Sequence, residues 1–586
     1  MMPQLDHWLQ QVTGITGLLP ELLGAIAERL SPIDLLAVSQ TDGELRAAVQ
    51  MSAALEQRRQ MAIRVQAVWN RLMVPQPGVA NPFVALGVPG VLESLASNFN
   101  CLTSVQQEQL VAIAEGHNDP EHRVFALRAL GGRLGGLAPT LQQRLVEVAE
   151  GLDDEEHCFQ ALEALRRGVG GLAPALQQRL IDLAEALDPE YRFLALEDLG
   201  LAVGEFTPML QQRLVELAEG VDDPQYRVSA LVCLAMGVGG LVPALQQRVV
   251  DLAEELNPED RVSVLRALGI SVGEFVPALQ QRVVDLAAGL VDPVHSAEAL
   301  QRIGLAAGEF APELQQRLVV LAEAFVDPEH RAQALEGIGR NLGELAAALQ
   351  QRLVVLAEGL AQYEHRVTAL RGLAVGVEGL APTLQQRLVD LVVSPDLEDH
   401  FSALAALESA VGKLVPELQE RLVVLVEGLT QPHQRVLALW GFRWGVGRFA
   451  PALQERIVVL AEGLAQPGDL NQAMWILRKG FGRFTPELQE RLVVLAENLN
   501  DPHDRVTALL SLGESAGLLP PELQERLVTF AESLNDPDNR VAAARVLGAS
   551  VGAFPPALQQ RLAAIAEGLV HPWARAAALA ALCPRN

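Results

Sequence analysis

The stretch APELQQRLVVLAEAFVDPEHRAQALEGIGRNLG, Ala311–Gly343, holds one complete structural period. It opens on Ala311-Pro312, and Pro suits a first helical turn because its missing N–H has no partner to lose there. Leu314, Leu318, Leu321, Ala322 and Phe325 follow at helical spacing and predict one apolar stripe. Gln315, Gln316 and Glu323 fall off that stripe. A second helix starts at Asp327-Pro328-Glu329, with a capping carboxylate, Pro at the first position and an acid in the first turn. Ala332, Leu335, Ile338 and Leu342 predict its buried stripe, and Gly343 its stop. Neither helix can bury its stripe alone.

The same text recurs along the chain. LQQR or LQER, followed by Leu, Val or Ile, occurs thirteen times, its Arg running from Arg144 to Arg561 at spacings of 34 or 35 residues. A degenerate copy, VQQEQLVAIAEG, begins at Val105. About fourteen units therefore fill residues 101–586, and so regular a period excludes a string of unrelated globular domains. Stacked units share a continuous core, which is the logic of a solenoid. The fold class is all-α, an αα-superhelix. The half-unit DPEHRVFALRALG, Asp119–Gly131, resembles the second helix of HEAT-type repeats in its Asp turn, Arg–Val pair and Ala-Leu spacing. An armadillo-like or private αα-repeat fits the same period. The Trp-Leu-Gly-Tyr pattern of tetratricopeptide units is missing.

Composition narrows the function. The chain has 586 residues and a formal net charge of −27, with 72 acidic against 45 basic side chains. Phosphate binding draws on Lys and Arg, so no nucleic-acid partner is expected. Charged or amide side chains interrupt every long apolar run, so no membrane insertion is expected. The start, MMPQLDHWLQQVTG, has no basic region followed by an apolar one, so no Sec-type signal is read there. Cys101, Cys158, Cys233 and Cys583 are far apart and show no metal spacing, which fits reduced thiols. Lys occurs only at Lys413 and Lys479. A GC-rich genome accounts for that, and so does avoidance of ubiquitin attachment.

Residues 1–100 do not repeat. In LPELLGAIAERLSPIDLLAVSQTDGELRAAV, Leu19–Val49, the residues Leu22, Leu23, Ile26 and Leu30 share a helical face. Ser31 can cap a next helix, with Pro32 first and Asp34 third, and Leu35, Leu36 and Val38 follow. So much apolar surface on about forty residues is expected to face a partner in part. The segment resembles an F-box, which opens with Leu-Pro and a Leu-Leu-x-x-Ile helix and continues Leu-Ser-Pro-x-Asp-Leu-Leu. The matching residues are Leu19, Pro20, Leu22, Leu23, Ile26, Leu30, Ser31, Pro32, Asp34, Leu35 and Leu36. The family's later Lys/Arg-x-Trp segment is replaced by Asp42-Gly43-Glu44-Leu45-Arg46. The resemblance implies docking on the Skp-type adaptor of a cullin ubiquitin ligase. An ordinary helical cap for the solenoid is the other reading. Residues 51–100 read as a long helix, ALEQRRQMAIRVQAVWNRLMV, and then a Pro/Gly-rich linker or irregular first repeat.

One stretch departs from the repeat. VLALWGFRWGVGRF, Val436–Phe449, carries two Trp, two Phe and two Arg in a chain that is 4% aromatic. Trp440 lies nineteen residues beyond Arg421, and Trp475 nineteen beyond Arg456. Arg443 aligns with Arg478 and Trp444 with Lys479. Elsewhere the Trp column holds Arg128, Glu163, Glu197, Val232, Arg266, Gln301, Glu336, Arg371, Ala406, Leu510 and Arg545, so it is expected to be exposed. Trp and Arg are enriched at binding hot spots. Trp440, Arg443, Trp444, Trp475, Arg478 and Lys479 are therefore the candidate patch for an acidic or apolar segment of a target protein. The alternative is that the aromatics fill a stacking irregularity where QPGDLNQAM breaks the usual turn.

His122, His157, His295, His330, His365 and His400 hold one turn position, which predicts a structural role. No Ser-His-Asp or Cys-His arrangement, phosphate-cradling loop, metal site or cofactor motif is read. The sequence points to a non-catalytic adaptor: an F-box-like head on a ubiquitin ligase, and a solenoid that holds the unknown target. Its repeats and head resemble bacterial F-box type III effectors, which would place it in a host-cell cytoplasm. The alternative is a plain α-solenoid scaffold or peptide-binding protein capped by residues 1–50.

Overall fold

The computed structural model describes residues 30–41, 46, 49–50, 52–73, 91–116, 119–393, 400–464, 466–499, 501–550, 553–569, 575–576, 578–579 and 582. These form α-helices and short 3-10 turns, with no strand among the described residues. The fold is all-α, a HEAT-like solenoid of paired helices. By packing, the chain divides into two compact units, Ala149–Phe530 and Met1–Val148 with Ala531–Asn586.

In Ala149–Phe530 the quoted period becomes Pro312–Ala324 and Pro328–Gly339, followed by a 3-10 turn at Leu342–Glu344. Both Pro residues stand in the first turn, and the Asp327 carboxylate accepts from the Glu329 N–H at 2.8 Å. Leu314, Leu318, Ala322, Ala332, Leu335, Ile338 and Leu342 are buried as predicted. Leu321 and Phe325 are half-buried, and Val319 takes the inner place instead. The second helix stops at Gly339, not Gly343; Gly343 lies in the 3-10 turn, against Gly379 of the next unit.

Gln315 corrects the expected polarity of the first helix, for it is buried, whereas Gln316 is exposed. The first Gln of each LQQRL or LQERL string in this unit is buried likewise. Its amide satisfies backbone groups that stacking hides from water. Gln211 Nε2 donates to the Phe206 carbonyl within its own unit at 3.1 Å and to the Gly240 carbonyl of the next at 3.1 Å, while Oε1 accepts from the Val242 N–H at 3.2 Å. Gln177 repeats the pattern with Val169, Glu205 and Thr207.

Successive second helices approach more closely than successive first helices. Glycine permits this. A Cβ on Gly372 would lie 2.0 Å from the Glu336 carbonyl oxygen, and one on Gly337 would lie 1.9 Å from that of Gln301. Second helices thereby line the inner side of the curve within this unit. On the outer side the repeated Arg reaches back to a Glu or Asp of the preceding first helix. Arg352 does so to Glu323 through two bonds of 2.8 and 2.5 Å.

In the other unit, Pro32–Thr41 packs on Ala53–Leu72, and Leu35, Val49 and Leu55 form a small core with Leu30 at its edge. The Asp34 N–H donates to Ser31 Oγ at 3.2 Å, and that hydroxyl donates to the Asp34 carboxylate at 2.6 Å. Arg71, at the end of Ala53–Leu72, meets Glu567 at 3.2 Å. The long helix expected after residue 50 is therefore present.

Candidate functional site

The second helices of Ala149–Phe530 set side chains at nineteen residues beyond each repeat Arg, and neighbours in this column touch. Gln301 donates to Glu336 at 2.8 Å, and Arg371 meets the other Glu336 oxygen at 3.3 Å. This pairing corrects the expectation that the whole column is exposed. Glu336 is only 8% exposed because an amide and a guanidinium replace the water around its carboxylate. Ala406 is buried too.

Further along, the helix Pro432–Leu439 tightens into a 3-10 turn, Trp440–Phe442, while the next second helix runs unbroken from Pro467 to Phe481. Phe442 and Phe481 are fully buried and anchor the two segments. Gly441 allows the turn to sit against the Leu404 carbonyl, where a Cβ would approach to 2.5 Å. The departure from the usual turn at Gln466-Pro467-Gly468 costs a side-chain cap but not the helix.

The six residues predicted as a patch are brought together. The rings of Trp440 and Trp475 lie 4.8 Å apart, tilted by 49°. The Arg443 guanidinium sits over three rings, 4.2 Å from Trp475, 4.6 Å from Trp444 and 5.4 Å from Trp440. Arg478 covers Trp475 at 4.4 Å, and the Lys479 ammonium is 5.5 Å from Trp444. Exposure differs from the expectation for two of them: Trp440 and Trp475 are half-buried because they pack on each other and on Arg443. Trp444, 53% exposed, is the ring that faces outward.

The charges in the cluster are unequal. Glu514 pairs with Arg478 at 2.7 Å and with Lys479 at 3.4 Å. Arg443 meets no carboxylate among the described residues, and its Nε is buried without a hydrogen-bond partner. A cation held by aromatic faces keeps its N–H edges for something else. This arrangement suits a carboxylate or another planar acceptor arriving with apolar surface beside it.

Of the proposed adaptor-binding residues, Leu19, Pro20, Leu22, Leu23 and Ile26 lie outside the described residues. Pro32, Leu35 and Leu36 are buried and Leu30 is half-buried, with Leu35 and Leu30 packed on Val49 and Leu55. The repeated His is local structure in several units. His122 meets Asp119 at 2.7 Å and His157 meets Asp154 at 3.0 Å, each pairing with the cap three residues back. Burial pushes the Cys101 thiol up to about 11 and the Cys233 thiol up to about 12, so neither offers a thiolate near neutrality. No group of three or more His, Cys, Asp or Glu could hold a metal ion among the described residues. No helix there is long and apolar enough to cross a membrane.

No protein-family model matches the chain, and no curated protein matches it. Solved structures do. Kap121p bound to Nup53p and the karyopherin Kap121p bound to the SUMO protease Ulp1p are each 12% identical, with a TM-score of 0.38, over 94% of this chain and 70% of theirs. Kap121p bound to the extreme C-terminus of the protein phosphatase Cdc14p is 12% identical with a TM-score of 0.37, over 92% of this chain and 68% of that one.

Proposed function

We propose that this protein is a non-catalytic binding solenoid, and that the cluster around Arg443 captures an acidic segment of a target protein. The observation that carries this reading is the Arg443 guanidinium, set over three Trp rings and meeting no carboxylate among the described residues. Elsewhere on the same solenoid, Arg352, Arg387 and Arg491 each hold a carboxylate through two bonds. Trp and Arg together are the side chains whose loss costs binding most, on the order of 2 kcal/mol each. A peptide library selected against the full chain should return ligands rich in Asp and Glu. The double variant W440A/W475A and the charge reversal R443E should each weaken them at least about tenfold. Helicity at 222 nm should stay unchanged. Ligands that bind all three proteins alike would sink the reading.

A second role rests on the head. Its helix begins at Pro32 with the Ser31 hydroxyl and the Asp34 carboxylate in mutual contact, an ordinary helix cap, and the F-box resemblance of the sequence is what suggests the role. In that role the head recruits a Skp-type adaptor, the bound target is ubiquitinated, and sparse Lys spares the carrier, in a host-cell cytoplasm after bacterial delivery. Co-purification with the adaptor, and its loss in L19A/P20A, tests this. Co-purification unaffected by that variant leaves residues 1–50 as a cap.

A further inference from the structure

A second feature of the inner face lies away from the tryptophans. Between the helices Pro258–Ser271, Pro293–Ile303, Pro328–Gly339 and Tyr363–Val375 is a cavity of about 430 Å³. Its opening has a cause in the sequence. Ala332 lies in its wall, where the next unit carries the larger Val367 and the preceding unit the equally small Ala297. The lining holds four carboxylates, Glu298, Glu329, Glu336 and Glu364, against the Arg266 guanidinium and the His365 imidazole.

Two of these carboxylates are already engaged. Glu298 meets Arg266 at 3.2 Å, and Glu336 is held by Gln301 and Arg371. Glu329 and Glu364 have no cation among the described residues. Two more polar atoms, Gln333 Oε1 and His365 Nδ1, are buried with no hydrogen-bond partner. The His has lost its usual partner for a readable reason. Where His122 finds a capping Asp three residues back, His365 finds Gln362. A wall of carboxylates, two of them unanswered, beside an unpartnered amide oxygen calls for a group that carries only donors and a positive charge.

We propose that this cavity receives a guanidinium or alkylammonium group. Guanidinium fits best, because its five N–H donors in one plane can serve a carboxylate and a neutral acceptor together. The rest of the volume suits the methylene stem. Two sources supply this chemistry, an Arg or Lys side chain of a bound polypeptide and a free cation such as arginine or spermidine.

The test is a titration of the full chain with fluorescein-labelled (Gly-Arg)3, its citrulline counterpart, and spermidine or free arginine as competitors. The Arg peptide should saturate and bind at least tenfold more tightly than the citrulline peptide. E329Q/E364Q should weaken it at least tenfold. A332V, which installs the residue that the next unit carries at Val367, should weaken it similarly by filling the cavity, with helicity at 222 nm unchanged. D182N/E216Q removes two acids from the outer face and should change nothing, as should W440A/W475A. Competition by spermidine or arginine at the peptide's own affinity assigns the free cation as ligand, and failure to compete assigns the polypeptide side chain. Either result supports the site. Equal binding of the citrulline peptide, no effect of E329Q/E364Q, or an equal effect of D182N/E216Q would overturn it, the last by exposing non-specific attraction to an acidic chain.

Discussion

The outer and inner faces of the Ala149–Phe530 unit use the same residue types to opposite ends. On the outer face, each repeat Arg is answered by a carboxylate one unit back: Arg387 by Glu358 at 2.7 and 2.5 Å, Arg491 by Glu462 at 2.8 and 2.5 Å. The text there hardly changes, and every repeat Arg is spent inside the stack. On the inner face the column nineteen residues on, eighteen where the loops at Asp188 and Asn257 are shorter, changes in almost every unit, and charges beside it are only partly answered. Arg443 lacks a carboxylate, and Glu329 and Glu364 lack a cation, among the described residues. A position that repeats faithfully within one chain serves stacking. A position that varies beside a fixed frame is free to serve something outside.

The sharpest way to break this comparison is to disturb the close approach that makes the inner face. Gly372→Ala puts a Cβ where the Glu336 carbonyl oxygen stands 2.0 Å away, so the helices Pro328–Gly339 and Tyr363–Val375 must part. A forced shift in a packed core costs about 3 kcal/mol. The urea midpoint should fall accordingly. Gly359→Ala is the control, because its Cβ would meet nothing nearer than 3.5 Å in a right-handed turn, and the change should stay within about 1 kcal/mol. Equal effects would mean that close packing is not what sets the inner face.

Next is the seam between units. Gln211→Leu keeps the volume but leaves the Phe206 and Gly240 carbonyls without that donor and the Val242 N–H without its acceptor. Stranded buried polar groups cost about 2 kcal/mol. Amide exchange at Val242 should rise sharply, while first helices two units away keep their protection, since each unit leans mainly on its neighbours.

This seam also marks the limit of what the sequence reveals. Helix pairs, Pro starts and Asp caps are legible because they depend on chain-local chemistry, and Asp327 caps as its sequence context predicts. Gln315 is misread because a polar residue beside Leu314 looks like a solvent face. The available signal was its recurrence: an amide repeated at one position of a stack is a ladder that serves backbone groups no single helix shows. Glu336 is misread for a related reason. Its partners, Gln301 and Arg371, lie 35 residues to either side, and only stacking brings them together. The aromatic patch was legible by alignment, since Trp440 and Trp475 share a register. The placing of Arg443 over three rings was not, because it depends on the 3-10 turn at Trp440–Phe442.

The smallest expected effect belongs to the most regular feature. Arg456 holds Glu427 through bonds of 2.7 and 2.6 Å, yet both side chains are about a third exposed, 31% and 34%. Water screens such pairs, so Arg456→Ala should cost less than about 1 kcal/mol despite the good geometry. The hydrogen bond from Arg456 holds the Glu427 carboxyl below its usual range, against a smaller opposing push from burial. A depressed carboxylate pKa stabilises the fold above the unfolded value of about 4.3, and the contribution disappears as pH falls through the lower folded value. The stability gap between wild type and R456A should therefore be constant from neutrality down to about pH 5 and close only below about pH 4. A large gap at neutral pH, or one that closes near pH 6, would mean that the ladder holds the stack together, and the division of labour between the two faces would have to be drawn differently.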